Sequence, residues 1–270
     1  MKRIGFLLLC SFLAYGSSPD RPRREISKTL ELKSNGRLSL DTYKGSIDIK
    51  TWEKNQVQIS VVIEPDDEFW NSGSDRDVED VDIRITGGGE EVRVKSDYSK
   101  LERRRHNVID WLGDNSFSLP LVHYSITMPK AARLNVKDYK SKTDIDGVAS
   151  EIVFNTYKGE VRMRSVDGSV DLETYKGDVR VEFAKMKAAT RFETYKGKVE
   201  VAIPRSNGFI LETDFSSKTD FRCDYDVHTR AHGKRGREKD YYGTINGGGP
   251  ELRLKSSKGT FRIRETHTSL

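Results

Sequence analysis

The chain has 270 residues, of which 35% are hydrophobic and 33% charged, and its formal net charge is +5. These values suit one large water-soluble domain or two small ones, and no run of about 18 apolar residues is present that would form a permanent membrane span. Such a small excess of positive charge also argues against a nucleic-acid-binding protein.

The N-terminus, residues 1–16, has the pattern of a secretory signal peptide. Lys2 and Arg3 precede an apolar stretch, residues 4–13, and Ala14-Tyr15-Gly16 forms a small-x-small cleavage site. Cleavage would remove two positive charges and leave a net charge of +3 (5 − 2). We expect an exported protein, located in the periplasm or at the cell surface.

The two cysteines indicate neither a disulfide nor a metal site. Cys10 lies inside the predicted signal, and the bulky Leu9 before it disfavours a lipoprotein cleavage site. Cys223 is then alone, with no C-x-x-C motif, and its alternation with Phe221 is typical of a small buried hydrophobe. The acidic segment 64–82 matches no calcium-binding loop, so we expect no bound metal and no cofactor.

An internal repeat organises the chain. Thr-Tyr-Lys-Gly occurs four times, and Asp138-Tyr139-Lys140-Ser141 is a degenerate copy; the exact copies are residues 42–45, 156–159, 174–177 and 194–197. From Tyr139 the aromatic position recurs in steps of 18, 18, 20 and 20 residues, at Tyr157, Tyr175, Tyr195 and Phe215. A fixed period of this length is typical of stacked repeat architectures.

Each repeat predicts two short β-strands joined by a corner. Apolar residues alternate with polar ones on both sides of the tetrapeptide, as in Ile152/Phe154 before it and Val161/Met163 after it. This period of two predicts strands with one buried face. We expect the terminal glycine to supply a positive φ angle at the corner.

Two stackings of these units are open: an antiparallel meander, or a coil in which equivalent strands align in parallel. A coil would place equivalent outward residues about 4.8 Å apart. In the three outward columns after the corner, six of eight neighbouring charged pairs are opposite in sign; one column reads Asp144, Arg162, Arg180, Glu200. This pattern favours an all-β fold of the β-solenoid type (a single-stranded β-helix) with coils of 18–20 residues.

The remaining segments predict how the solenoid ends. We expect a linker over residues 17–29, an irregular, partly antiparallel capping region over 30–128, and regular coils with a C-terminal cap over 129–266. Within the first cap, residues 81–94 with Gly87-Gly88-Gly89 at their centre are expected to form a hairpin. Such caps hide the edge strands of a solenoid.

The arrangement resembles the bacterial putative-adhesin, or toast-rack, family of exported β-solenoid domains of unknown function. The resemblance covers roughly residues 30–264 and rests on repeated segments such as 170–181, the Tyr-Ser-Ile-Thr-Met-Pro sequence at 124–129, and residues 247–254. Similar proteins more often carry Asp-Asn-Gly or Thr-Asn-Gly at the corner. The resemblance implies an envelope location, sometimes beside envelope-stress proteins, and carries over no catalytic residues.

The repeated corner holds the candidate binding residues. In a coil, Tyr139, Tyr157, Tyr175 and Tyr195, followed by Phe215, would form an aromatic column. This column is either a stacking platform for sugars or a partner, or a ladder that only stabilises the fold.

A second column runs beside the aromatic one. Lys140, Lys158, Lys176 and Lys196 would form a uniformly positive line, at about 0.9 kcal/mol of repulsion per neighbouring pair in water. It would bind an anionic envelope polymer or glycan, or it is a by-product of duplicating a structural corner. An envelope protein is the other partner that such an edge would suit.

No catalytic motif is present: there is no G-x-S-x-G elbow, P-loop, G-x-G-x-x-G or H-E-x-x-H. The sequence therefore predicts a non-catalytic envelope module for binding or scaffolding. A polysaccharide-cleaving β-helix enzyme and a structural partner in an envelope-stress complex stay open as alternatives.

Overall fold

The computed structural model describes residues 22–66, 75–103, 118–232 and 238–266. The predicted signal peptide and Cys10 lie outside these ranges, as does part of the acidic segment. Within them the chain is mostly β, as the alternating pattern predicts, and its helical residues are the short helix α1 (Asp75–Asp80) and residues 99–103.

The strands are numbered in chain order. The first nine are β1 (Arg24–Asp41), β2 (Lys44–Trp52), β3 (Gln56–Glu64), β4 (Asp82–Asp97), β5 (Leu121–Pro129), β6 (Arg133–Asp138), β7 (Lys140–Asp146), β8 (Glu151–Thr156) and β9 (Glu160–Thr174). The remaining strands are β10 (Val179–Met186), β11 (Thr190–Thr194), β12 (Lys198–Pro204), β13 (Phe209–Phe215), β14 (Asp220–Cys223), β15 (His228–His232), β16 (Glu238–Ile245), β17 (Glu251–Ser256) and β18 (Thr260–Thr266).

Successive repeats align in parallel and in register. On one face β7, β9, β10 and β12 pair in that order, and on the other β6, β8, β9 and β11 do so. The charge column Asp144, Arg162, Arg180, Glu200 is in register, as the coil prediction requires. The outward column that begins with Asp146 and Arg164 is interrupted after Arg164, because Ser165 has a φ of 53° and the register between β9 and β10 shifts there.

Two long strands join the faces. β1 and β9 each pair within both faces, so the hydrogen-bonded neighbours close a ring of eight strands: β1, β3, β5, β2, β7, β9, β8 and β6. Strands β10–β18 extend the two faces beyond this ring. Inward residues from both faces form one core, in which Phe154, Met163, Leu172 and Val181 are fully buried.

The order of layers differs from the order along the chain at both ends. The last segment, β17 with β18, lies between the layer of β11 and β12 and the layer of β13 and β14. The first segment, the C-terminal half of β1 with β2, likewise lies between β4/β5 and β6/β7. The expectation that the layer of Phe215 stacks directly on that of Tyr195 is therefore wrong.

The end regions contain the antiparallel pairings that capping predicts. β3 pairs antiparallel with β1 and β5, and β16 pairs antiparallel with β13 and β15. The hairpin expected over residues 81–94 is absent, because β4 runs as one strand through Gly87, Gly88 and Gly89, whose φ angles are all positive. Among the residues that the structure describes, no helix is long and apolar enough to cross a membrane.

Candidate functional site

The predicted aromatic column exists as a continuous ladder of tyrosine rings on one corner. The tyrosine ladder consists of Tyr43, Tyr139, Tyr157, Tyr175 and Tyr195, whose successive ring centroids are 4.6, 5.0, 4.7 and 4.8 Å apart and whose planes are within 8° of parallel. The spacing is that of hydrogen-bonded strands, so the stacked backbones impose it. Tyr98 closes one end, edge-on to Tyr43 at 5.9 Å.

The stacked rings turn their edges, not their faces, to solvent. Tyr43, Tyr157, Tyr175 and Tyr195 are each 36–38% exposed, while parallel neighbours largely cover the ring faces. No described residue accepts or donates a hydrogen bond at the ladder hydroxyls. Stacking of sugars along the ladder is disfavoured, since the faces that it requires already contact other rings.

Phe215 does not belong to the ladder. It aligns with Ser256, which aligns in turn with Thr194, so it occupies an inward position and is only 3% exposed. The corner after it is one residue longer: three residues separate Thr194 and Lys198, whereas four separate Phe215 and Asp220 at the aligned positions. Phe215 instead packs against Phe261 in the core, with ring centroids 5.4 Å apart.

A buried hydroxyl holds each corner closed. The Oγ1 atoms of Thr156, Thr174 and Thr194 accept hydrogen bonds from the amides of the glycines three residues later, at 3.0, 2.8 and 2.7 Å. Ser256 does the same for Gly259 at 2.8 Å. In the first regular layer the carboxylate of Asp138 takes this role and also accepts from Thr156 Oγ1 at 2.8 Å. Burial raises the pKa of Asp138 more than these hydrogen bonds lower it.

The corner glycines are required by close packing between layers. A Cβ on Gly177 would lie 2.2 Å from the carbonyl oxygen of Gly159, and one on Gly197 would lie 2.1 Å from that of Gly177. Gly159, Gly177 and Gly197 do not have a positive φ, so the prediction that the corner glycine supplies a positive φ is wrong for these three. Only Gly45, with a φ of 135°, fits that expectation.

The predicted basic column also exists and is longer than expected. We call Lys140, Lys158, Lys176, Lys196 and Lys258 the lysine row; its members occupy the same position in successive layers, follow the ladder position, and are all exposed. Within the described ranges, none of the five forms an ion pair. Lys158 and Lys176 place Nζ 5.4 and 5.5 Å from the ring centroids of Tyr157 and Tyr175, and Lys258 lies 5.6 Å from that of Tyr195.

The corresponding lysine of the 42–45 corner behaves differently. Lys44 pairs with the buried carboxylate of Asp66 and donates to Ser118 Oγ at 2.9 Å. It is therefore a structural cation that attaches the segment around Asp66 to β2. The contrast shows that the other five ammonium groups are not required to neutralise a neighbouring acid.

A groove of about 560 Å³ runs along the other side of the tyrosine ladder. Its wall is the outward column that precedes the corner: Lys137, Asn155, Glu173, Glu193 and Lys255, which are aligned in register. Glu193 is paired with Arg191 at 2.9 Å and Lys255 at 3.1 Å, whereas Glu173 has no ion pair among the described residues. The ladder thus has a uniformly cationic row on one side and, on the other, a column in which the oxygen acceptors of Asn155, Glu173 and Glu193 lie between two lysines.

Several of these residues were not predicted as part of the site. Tyr43 and Lys258 lie in copies of the tetrapeptide, but their place in the stack depends on the inserted first and last segments. The groove column is visible in the sequence as the residue before each corner threonine or aspartate, although nothing local indicates that it borders a cavity. The roles of the threonines follow from the T-x-x-G spacing, which allows a side chain to bond an amide three residues on.

Cys223 is a free cysteine outside the corner. Burial raises the pKa of the partly buried Cys223 thiol to about 11, which fits the small hydrophobe that the sequence predicts. Over the described part of the chain, no group of three or more histidine, cysteine, aspartate or glutamate side chains is arranged to hold a metal ion.

These features define a class of protein: an all-β protein of stacked repeats with an external aromatic and cationic edge. The chain belongs to the Toastrack DUF4097 family, whose sequence model matches residues 28–264. No curated protein sequence matches the chain.

Two solved structures that align with this chain carry adhesion names. A "putative cell adhesion protein" from Clostridium sporogenes aligns with a TM-score of 0.51 at 12% identity, over 90% of this chain and 100% of that one. A "putative adhesin" from Bacteroides fragilis has a TM-score of 0.41 at 12% identity, over 90% of this chain and 97% of that one. At this identity the first likeness supports the fold alone.

Proposed function

We propose that this protein is an exported β-solenoid that binds an anionic polymer of the cell envelope along its tyrosine–lysine corner. In such a solenoid, the parallel layers are coils of 18–20 residues. The closed ring is the region where the two long strands, β1 and β9, cross between the faces. The predicted signal peptide supports the envelope location.

The unpaired lysine row carries this proposal. Five exposed ammonium groups in consecutive layers repel one another, and no described carboxylate forms an ion pair with them. An extended polyanion that lay along the row would relieve this repulsion at every layer, and it would release its own counterions. The hydroxyls of the tyrosine ladder, which have no hydrogen-bond partner among the described residues, add a parallel line of donors.

The proposed role is binding and not catalysis. The corner presents the same side chains at each layer, as at Tyr157/Lys158 and Tyr175/Lys176, so no single layer holds a distinct set of acid, base and nucleophile. A repeated surface of this kind suits a repeated ligand.

The test is binding of the full-length protein to immobilised lipopolysaccharide, teichoic acid and acidic glycans. We expect the variant Lys158→Glu/Lys176→Glu/Lys196→Glu to lose binding at physiological salt, and the wild-type affinity to fall as salt rises. The control is Lys130→Glu/Arg133→Glu/Lys185→Glu, which makes the same charge change at three exposed residues outside the row. Equal binding by the row variant and the wild type, or equal loss in the control, would overturn the proposed surface.

The envelope location has a separate test. Mass spectrometry of the N-terminus after expression should find cleavage after Gly16, and fractionation should recover the protein from the periplasm or the cell surface. An uncleaved chain in the cytoplasm would contradict this part of the proposal.

A further inference from the structure

We infer that the polymer is an acidic polysaccharide with a carboxylate on every sugar, a polyuronate, extended along the tyrosine ladder. This inference rests on the proposed function and assigns its ligand class. It follows from the spacing of the cations and from the different chemistry of the two sides of the ladder.

The spacing fits one negative charge per sugar. Adjacent layers are 4.6–5.0 Å apart at the tyrosine rings, and each layer from Lys140 to Lys258 contributes one lysine. This distance is close to the length of one sugar in an extended glycan chain. A glycerol-phosphate chain has more atoms between successive charges and fits the row less well. A glycan charged on alternate sugars would leave every second lysine without a partner.

The groove side of the ladder favours a ligand with hydroxyl groups. Asn155 and the unpaired Glu173 present oxygen acceptors there, and Tyr157 and Tyr175 line the same groove. Sugar hydroxyls donate hydrogen bonds to such oxygens, whereas a fully ionised polyphosphate has no donor to offer. The carboxylate of Glu173 would also repel a polyphosphate. A polyuronate satisfies both sides, since it carries carboxylates toward the lysines and hydroxyls toward the groove.

The number of lysines in the row predicts how the affinity depends on the length of the ligand. Five lysines in five consecutive layers offer five charge contacts. We therefore expect affinity to rise with each added sugar up to about five and to change little beyond that, as each further sugar meets no new cation.

The experiment is calorimetric titration of the full-length protein with oligogalacturonates of increasing length, with EDTA present to exclude calcium-bridged aggregates. A polyphosphate of matched charge and a glycan charged on alternate sugars are the comparison ligands. We expect the tightest binding for the oligogalacturonates, with a plateau near five sugars.

Two variants separate the sides of the site. Tyr157→Phe/Tyr175→Phe/Tyr195→Phe keeps the stacked rings but removes three hydroxyls, and it should weaken oligogalacturonate binding by roughly tenfold. Glu173→Ala should weaken the same ligand severalfold but leave polyphosphate binding unchanged or tighter. Circular dichroism of each variant checks that the fold is retained.

The outcomes separate the polyuronate inference from the proposed function. Binding of polyphosphate or teichoic acid through the lysine row, with no binding of oligogalacturonate, would overturn the polyuronate inference and leave the proposed function standing. A lack of binding to every anionic polymer would overturn both. An oligogalacturonate affinity that depends neither on chain length nor on the tyrosine hydroxyls would also overturn the inference.

Discussion

The carbonyl oxygen of Gly177 lies directly against Gly197, in the position where a Cβ on Gly197 would be only 2.1 Å away. Gly159 and Gly177 stand in the same relation one layer earlier, at 2.2 Å. The corners therefore stack more closely than any side chain would permit. This contact allows the tyrosine and lysine that precede each glycine to form continuous outer columns.

A methyl group at this contact should push the layers apart. We expect Gly197→Ala to lower the free energy of unfolding by about 3 kcal/mol, because the clash is with backbone that cannot move aside. The matched control is Gly243→Ala, where the nearest atom would be 3.4 Å away and the change should stay within about 0.5 kcal/mol. Urea unfolding measures both, and equal stability of the two variants would contradict this account of the corner.

The buried threonine hydroxyls should matter through the amides that they satisfy. Thr194→Val leaves the amide of Gly197 without its partner in the interior, so we expect a loss of about 1–3 kcal/mol. Thr194→Ser keeps the hydroxyl and should cost less. Chemical denaturation of both variants is the measurement, and a serine variant no more stable than the valine variant would argue against the hydrogen bond.

The tyrosine ladder should contribute stability in proportion to the number of ring neighbours. Tyr175 stacks on Tyr157 and Tyr195, whereas Tyr195 stacks on one tyrosine only. At roughly 0.5–1.5 kcal/mol per pair, Tyr175→Ala should destabilise by about 1–3 kcal/mol and Tyr195→Ala by about half of that. Tyr175→Phe keeps both contacts and serves as the control. Equal unfolding midpoints for Tyr175→Ala and wild type would show that the ladder contributes nothing to stability.

Glu200 should give the protein acid-sensitive stability. Its buried carboxylate accepts from Arg264 at 3.0 Å and Arg180 at 3.4 Å, and so connects β12 to β18 and β10. Burial raises its pKa, but the hydrogen bond from Arg264 and the surrounding positive charges outweigh that effect and hold the pKa below its usual 4.5. A carboxylate whose pKa is lower in the folded state stabilises the fold above the unfolded pKa and loses that contribution as the pH falls.

We therefore expect Glu200→Gln to melt at a lower temperature than wild type at pH 7, with the difference shrinking below about pH 4.5 as wild-type Glu200 is protonated. Thermal melts across this range measure it. Glu53→Gln changes an exposed carboxylate that has no ion pair with a described residue, and it should follow the wild type throughout. A constant gap between Glu200→Gln and wild type would show that the charge is not responsible.

Much of the fold could be predicted because the repeat is local. Alternation around Ile152, Phe154, Val161 and Met163 indicates strands, and the recurring tyrosine indicates their alignment. The same reasoning failed at Phe215, which lies 21 positions after the aligned Thr194, whereas Thr194 lies 20 positions after the aligned Thr174. The extra residue places Phe215 in the core and not in the ladder. An insertion of that kind leaves the 20-residue step intact, so the spacing alone does not reveal it.

The tyrosine and lysine columns of the candidate site were predicted, whereas the groove beside them was not. Tyr157, Lys158, Tyr175 and Lys176 are adjacent to the residues that form the strands, so their columns follow from the register. The groove with Glu173 depends on how the side chains pack beside the ladder, which the spacing of residues in the sequence does not reveal.

The amino-acid sequence by itself determined the strands, the corners and the parallel alignment of the layers from Asp138 to Gly197, because each of these depends on residues close together in the chain. Only the tertiary structure decided that the first and last segments are inserted between neighbouring layers, which extends the lysine row to Lys258. Every layer carries the same alternating pattern, so any layer would pair with any other. The layers with which the first and last segments pair are therefore set by the strand edges that are still unpaired when the ends of the chain fold back.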